Sequence, residues 1–185
     1  MKLFVAVVVL FASYGNSLEI VPIAVWGGSD YQYEKILENP VPFAIIQHTV
    51  SEECTTDLEC LHLVKELRNV FLTLWEDSDI PYSFMIGGNG KVYEGAGWHT
   101  VGAHTWRYND KSIGIGFLGD FRRKSPTPDA LKAAQELLSY GFQNKYLADN
   151  YKLVGAGQLV PTESPGAALQ KIIEGWPHWT PNPLN

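Results

Sequence analysis

Only two cysteines and two methionines occur in 185 residues, and beyond the first dozen positions no apolar run approaches the length of a membrane span, which takes ~20 residues. Basic residues are also scarce. Fourteen Lys and Arg stand against twenty Asp and Glu, a formal charge of −6. That balance argues against a partner read through its phosphates, whether nucleic acid or an anionic bilayer. A neutral, hydrogen-bonding ligand suits it better. There is no Asn-x-Ser/Thr acceptor, no internal repeat and no low-complexity segment, so a solenoid is excluded.

What is present begins with Lys2, the apolar run Leu3 to Ala12 and the small residues ending Gly15-Asn16-Ser17. This reads as a cleavable signal peptide over 1–17, giving a secreted, unanchored chain starting near Leu18. Residues 18–185, about 168 in all and with a charge of −7 once Lys2 is gone, suit a single domain. In an exported protein Cys54 and Cys60, six apart in a polar loop, read as a small disulfide. The alternative is a pair of metal-ligating thiols, although no histidine or second cysteine pair stands nearby at zinc-site spacing.

Phe43-Ala44-Ile45-Ile46 is a continuous apolar run, expected as a strand buried on both faces that delivers Gln47-His48-Thr49 to the sheet's carboxyl edge. From Thr56 or Asp57 to Trp75 the residues Leu61, Val64, Leu67, Val70, Phe71 and Leu74 recur at helical spacing. Tyr82 to Ile86 and Lys91 to Glu94 flank Gly87-Gly88-Asn89-Gly90 and predict a hairpin. Ser112 to Leu118 alternates glycine with apolar residues and predicts an interior strand that something approaches closely. Helices are expected from Pro128 to Asn144 and from Ser164-Pro165-Gly166 to a stop at Gly175. The result is a mixed α/β domain, a central sheet flanked by three helices.

In this order the chain also carries Asp79-Ile80-Pro81-Tyr82-Ser83-Phe84, Tyr93-Glu94-Gly95, Gly97-Trp98, Gly102-Ala103-His104-Thr105, Tyr108-Asn109-Asp110, Phe117-Leu118-Gly119 and Trp176-Pro177-His178-Trp179. Together with Ile46 to Val50 and the segments above, these resemble the peptidoglycan recognition proteins across essentially the whole of residues 18–185. The resemblance is greatest to short, secreted insect sensors of lysine-type peptidoglycan upstream of the Toll pathway. It implies the phage lysozyme-type N-acetylmuramoyl-L-alanine amidase fold. The expected function is an innate-immune pattern-recognition receptor for Gram-positive bacteria, with soluble members of a protease cascade as partners and haemolymph as its location.

Catalytic members of that family hold zinc with two histidines and a cysteine while a tyrosine assists the attacked carbonyl. Three protein ligands leave a fourth position for an activated water. The resemblance places His48 at the first ligand and Tyr82 at the tyrosine. The remaining positions read Gly155-Ala156-Gly157-Gln158 and Glu163-Ser164-Pro165-Gly166, so a methyl and a hydroxyl replace the imidazole and the thiolate. A serine hydroxyl is a poor zinc ligand, so no metal, cofactor or zinc-amidase activity is expected. The alternative is a residual peptidoglycan hydrolase using Ser164 and His48; against it, Ser164 is read as capping the following helix.

The resemblance assigns ligand contacts to His48, Thr49, Tyr82, Trp98, His104, Thr105 and Asn109, with Ser164 beside them. Tyr82 and Trp98 could equally be core aromatics. Ala96 stands where members preferring meso-diaminopimelate carry an arginine, and Glu76-Asp77 replace their Gly-Trp pair. Two carboxylates would attract a lysine ammonium, so a lysine-type preference is expected; a solvated acidic turn is the bland reading. Ser78 removes a second family disulfide, and Phe71 replaces a groove histidine. Trp176, Pro177 and Trp179 read as a docking patch or, more usually, a terminal clamp on the core.

Overall fold

The structure, a computed structural model, describes residues 18–27, 35–74 and 79–184. The expected signal segment, Glu76, Asp77 and Ser78 lie outside the described residues.

The apolar run forms β2 (Val41–His48), parallel on one side to β5 (Ser112–Phe117) and on the other to β6 (Leu147–Gly155). β5 continues, parallel, to β3 (Phe84–Ile86), which forms the expected hairpin with β4 (Val92–Glu94). β4 pairs with the two-residue β1 (Ile20–Val21), giving the order β1-β4-β3-β5-β2-β6. In the hairpin turn only Gly90 takes a positive φ, 78°. Gly88 is needed for proximity, since a β-carbon there would stand 2.2 Å from the Cys54 carbonyl oxygen.

The glycine alternation in β5 sorts its two faces. Ile113, Ile115 and Phe117 enter the main core, which α3 (Pro128–Gln143) closes with Ala134 and Leu137 and α4 (Ala167–Ile173) with Leu169 and Ile173. Thr127 caps α3 by accepting the Ala130 N–H at 3.1 Å, ahead of Pro128. A second cluster packs Val64 and Cys60 of α2 (Asp57–Leu74) against Met85, Tyr93 and Tyr82. At its start, Glu59 accepts the Thr56 N–H while Thr56 Oγ1 accepts the Glu59 N–H, a capping box. Cys54 and Cys60 are disulfide-bonded. Val70, assigned to the apolar stripe, is 49% exposed and lies outside the buried face of the helix.

Two sequence expectations are corrected, and one strand is added. The segment Ile20 to Trp26, which the same family resemblance implies is an entry strand, forms a strand only to Val21, because Pro22 has no N–H to extend the ladder. A single helical turn, α1 (Ile23–Trp26), follows and buries Trp26, whose Nε1 donates to the Glu94 carbonyl at 2.8 Å. β6 was not anticipated: Asp149, Asn150 and Lys152 interrupt its apolar pattern, and at a sheet edge such residues can face water. The terminal tryptophans clamp this strand. The Leu153 N–H donates to His178 O and the Thr180 N–H to Leu153 O, while Trp176 is buried in the core. Finally, Ser164 does not cap α4; Gly166 occupies the cap position without a side-chain bond, and the Ser164 hydroxyl is used elsewhere.

Candidate functional site

The site lies where β2, β5 and β6 end at their carboxyl edge, where open α/β sheets place ligands. His48, the last residue of β2, is buried, and its Nδ1 accepts the Phe121 N–H at 3.1 Å. The neutral ring therefore carries its proton on Nε2. Burial lowers the imidazole pKa, opposed by Asp120, whose carboxylate lies 3.9 Å from Nδ1. Arg122 hydrogen-bonds Asp120 and holds it down to about 2, and it also reaches Glu163 at 3.4 Å. Asp120, Arg122 and Glu163 escaped the sequence reading because only the fold brings their loops together.

Ser164 Oγ accepts the main-chain N–H of His48 at 3.1 Å, and its carbonyl accepts the Gly157 N–H at 2.7 Å. Ala156 is fully buried against Ile45 and Val154. These residues do not fit a zinc ion: one imidazole has its lone-pair nitrogen engaged, one position offers a methyl, and one a neutral hydroxyl. Among the described residues no group of three His, Cys, Asp or Glu side chains is arranged for a metal. Nor do Ser164 and His48 form a dyad, since the hydroxyl meets the histidine backbone and the ring base meets Phe121.

The β5 glycines form the floor of a polar wall. A β-carbon at Gly114 would stand 2.3 Å from the His104 ring, and one at Gly116 3.0 Å from the Tyr82 ring. Both rings thus rest directly on the strand, with Phe71 edge-on to Tyr82 at 6.4 Å. Burial pushes the Tyr82 phenol up to about 12, so it stays a neutral donor and acceptor. His104 Nδ1 pairs with Thr105 Oγ1 at 3.1 Å, and the Thr105 N–H donates to Asn109 Oδ1 at 2.6 Å. Gln47 Nε2 donates to the His104 carbonyl at 2.9 Å, so Gln47, His104, Thr105 and Asn109 form one bonded unit. Gln47 was legible only as the neighbour of His48. Thr49 Oγ1 ties the ends of β2 and β5 by accepting the Gly119 N–H at 3.1 Å. The Ala96 N–H donates to Tyr82 O at 3.0 Å, which sets that methyl beside the tyrosine segment.

Trp98 lies apart from this wall. It packs between Phe84 (4.6 Å) and Tyr146 (stacked at 4.8 Å) beneath Gly141 of α3. Its position is that of a core aromatic, and a sugar-facing role for it is not what the structure displays.

His104 gives a pH prediction. Burial pushes its imidazole from the ordinary 6.5 down to about 4, against a weaker opposing pull from the Ser112 main chain. As pH falls below 6.5 the unfolded chain takes up this proton before the folded one, so stability present above that pH is lost on approach to 4. The expected loss is on the order of 2–3 kcal/mol. Denaturant titrations of wild type and His104→Gln across this range should show a steeper fall in the wild type; parallel curves would refute the assignment.

A mixed sheet covered by α3 and α4 on one face and α2 on the other, with a groove at the strands' carboxyl edge, defines an amidase-type domain. Residues 37–167 match the family model described as N-acetylmuramoyl-L-alanine amidase. The chain is 41% identical to a peptidoglycan recognition protein of Trichoplusia ni over 182 residues, 98% of this chain and 100% of the relative. The X-ray structure of bumblebee PGRP-SA superposes with a TM-score of 0.87 at 41% identity, covering 89% of this chain and 99% of that one. Human PGRP-IBETAC, solved in complex with glycosamyl muramyl pentapeptide, gives a TM-score of 0.84 at 38% identity over 87% and 98%. The chain belongs to the peptidoglycan recognition protein family.

Proposed function

We propose that this chain is a secreted sensor that binds bacterial peptidoglycan in the groove walled by Tyr82, His104, Thr105 and Asn109 and does not cleave it. The observation that carries this reading is the contrast between the two halves of the site. In the polar wall Gln47, His104, Thr105 and Asn109 are hydrogen-bonded into one unit, whereas the corner of His48, Ala156 and Ser164 has no donor set for zinc. The complex of human PGRP-IBETAC with a muramyl pentapeptide supports the ligand class.

Lysine-type stems are the preferred ligand in this proposal. Ala96 offers no cation beside Tyr82 for the extra carboxylate of diaminopimelate, and Glu76 with Asp77 supplies negative charge suited to a free ammonium. Binding then recruits soluble partners of an immune protease cascade of the Toll type. Among the described residues no helix is long and apolar enough to cross a membrane, in keeping with the leader-like first seventeen positions.

The test incubates the protein lacking residues 1–17 with insoluble lysine-type and diaminopimelate-type peptidoglycan, with and without zinc, reading capture and released fragments together. Selective capture of the lysine type without release is expected. Equal capture of both types would remove the specificity argument, and zinc-dependent release would overturn the non-cleaving reading.

A further inference from the structure

The loop that carries the polar wall also bears side chains that the wall does not use. Thr105 is buried and Asn109 holds its N–H, whereas Trp106 and Arg107 between them are exposed. Trp106 is 64% exposed, while the other described tryptophans are buried or half-buried. The Arg107 guanidinium lies 5.5 Å from the centre of the Trp106 ring, and Lys111 Nζ lies 4.6 Å from the centre of the Tyr108 ring. Tyr108 is itself seated edge-on against Phe43 of β2 at 5.5 Å, so the second aromatic is anchored on the sheet.

This patch reverses the sign of the chain. Formal charge over the whole sequence is −6, yet Arg107 and Lys111 stand here with Lys35 against the one carboxylate of Asp110. Among the described residues neither Arg107 nor Lys111 makes an ion pair, and Lys35 reaches Asp110 only at 3.6 Å with both side chains more than half exposed. Arg107 is also held at a φ of 68°, a backbone region that favours glycine. Glycine would fit this turn with less strain, but the chain places a long cation there. The turn is fixed by its own bonds, Tyr108 N–H to Thr105 O at 2.9 Å and Thr105 N–H to Asn109 Oδ1 at 2.6 Å. Strain held in this way collects at functional sites.

We infer that Trp106, Arg107, Tyr108 and Lys111 form a docking surface for an acidic segment of a partner protein; the inference locates the recruitment step proposed above and, in naming a partner protein, rests on that reading. Carboxylates of the segment pair with the two cations, Arg107 as a bidentate fork, and an apolar side chain beside them covers the Trp106 indole. Tryptophan, tyrosine and arginine are the residues that dominate affinity in protein–protein contacts. A phosphate polymer fits less well, since beyond these few cations it would meet a negatively charged molecule. Thr105 and Asn109 belong to the wall while Trp106 and Arg107 are exposed, so stem peptide and partner use different faces of one loop.

The experiment titrates isotope-labelled protein lacking residues 1–17, followed by NMR, with a synthetic peptide alternating glutamate and leucine, with its glutamine counterpart and with poly(glycerol phosphate). The glutamate peptide should shift the Trp106 indole N–H and the amides from Trp106 to Lys111, and bind about tenfold more tightly than the glutamine peptide at low salt, a margin that shrinks as salt is added. Trp106→Ala and Arg107→Gly should each weaken the glutamate peptide about fivefold or more. Both should capture lysine-type peptidoglycan as the wild type does, and Arg107→Gly should not lower the Tm, because the backbone there favours glycine. Shifts centred elsewhere, equal affinity for the two peptides, or binding untouched by both substitutions overturns the docking surface. Binding of poly(glycerol phosphate) at these residues without the glutamate peptide overturns it in favour of a phosphate polymer. A wild type that binds the glutamate peptide at Trp106 but captures no peptidoglycan would uphold the surface and refute the peptidoglycan reading.

Discussion

Arg68→Ala should cost about 3–5 kcal/mol of folding stability, the range for stranding one partner of a buried ion pair. Arg68 of α2 donates through Nε to both Asp79 carboxylate oxygens, at 2.8 and 2.9 Å, and through Nη2 to one of them at 2.7 Å. The side chains are 13% and 2% exposed, so water cannot replace the guanidinium once it is removed. The same arginine holds the Gly27 carbonyl, and Asp79 accepts the Ile80 N–H at 2.7 Å. One side chain thus fastens α1, α2 and the strap that delivers Tyr82. Urea titrations at constant slope measure the loss. Replacing both partners, as Arg68→Met with Asp79→Leu, should recover much of it, because no buried charge is then left alone. A single-variant loss below about 1 kcal/mol would place the pair with ordinary surface bridges.

The second large effect is expected from Gly114→Ala, the smallest change available in the floor of the site. Its methyl would stand 2.3–2.5 Å from three atoms of the His104 ring, closer than carbon and nitrogen atoms can approach. The ring cannot step aside freely, being pinned by Thr105 Oγ1 and by Gln47 on its own carbonyl. Overpacking of this kind costs about 1–3 kcal/mol, and relief requires the segment of His104 and Thr105 to lift off the strand. Peptidoglycan capture should fall at least tenfold, well beyond what the stability loss explains. Gly116→Ala, at 3.0 Å from the Tyr82 ring, should be milder. Undiminished capture by a folded Gly114→Ala protein would show that His104 does not need this seat.

Much of this was legible beforehand, for local reasons. β2 announced itself because a strand covered on both faces must be continuously apolar, and α3 because Thr127 and Pro128 signal a helix start within the chain itself. The glycine alternation of β5 foretold a close approach without saying by what; the answer, the rings of Tyr82 and His104, arrives from segments about thirty and ten residues away in sequence, respectively. β6 was hidden because an edge strand does not have to look like a buried one. Trp98 fitted a binding motif as well as a core motif, since indole serves both, and only its seat between Phe84 and Tyr146 separates them.

By itself the sequence determined the fold class, marked the cysteine pair and set the chemistry available at Ala156 and Ser164, because these depend on residue identity and short-range spacing. A methyl at Ala156 and a hydroxyl at Ser164 are poor zinc ligands in any conformation. Tertiary structure alone decided which nitrogen of His48 is free, what Ser164 does with its hydroxyl, and that Asp120, Arg122 and Glu163 meet beside them. Those are contacts between loops that follow different strands. The sheet's parallel order brings their ends to one edge, and no local pattern in the chain encodes that meeting.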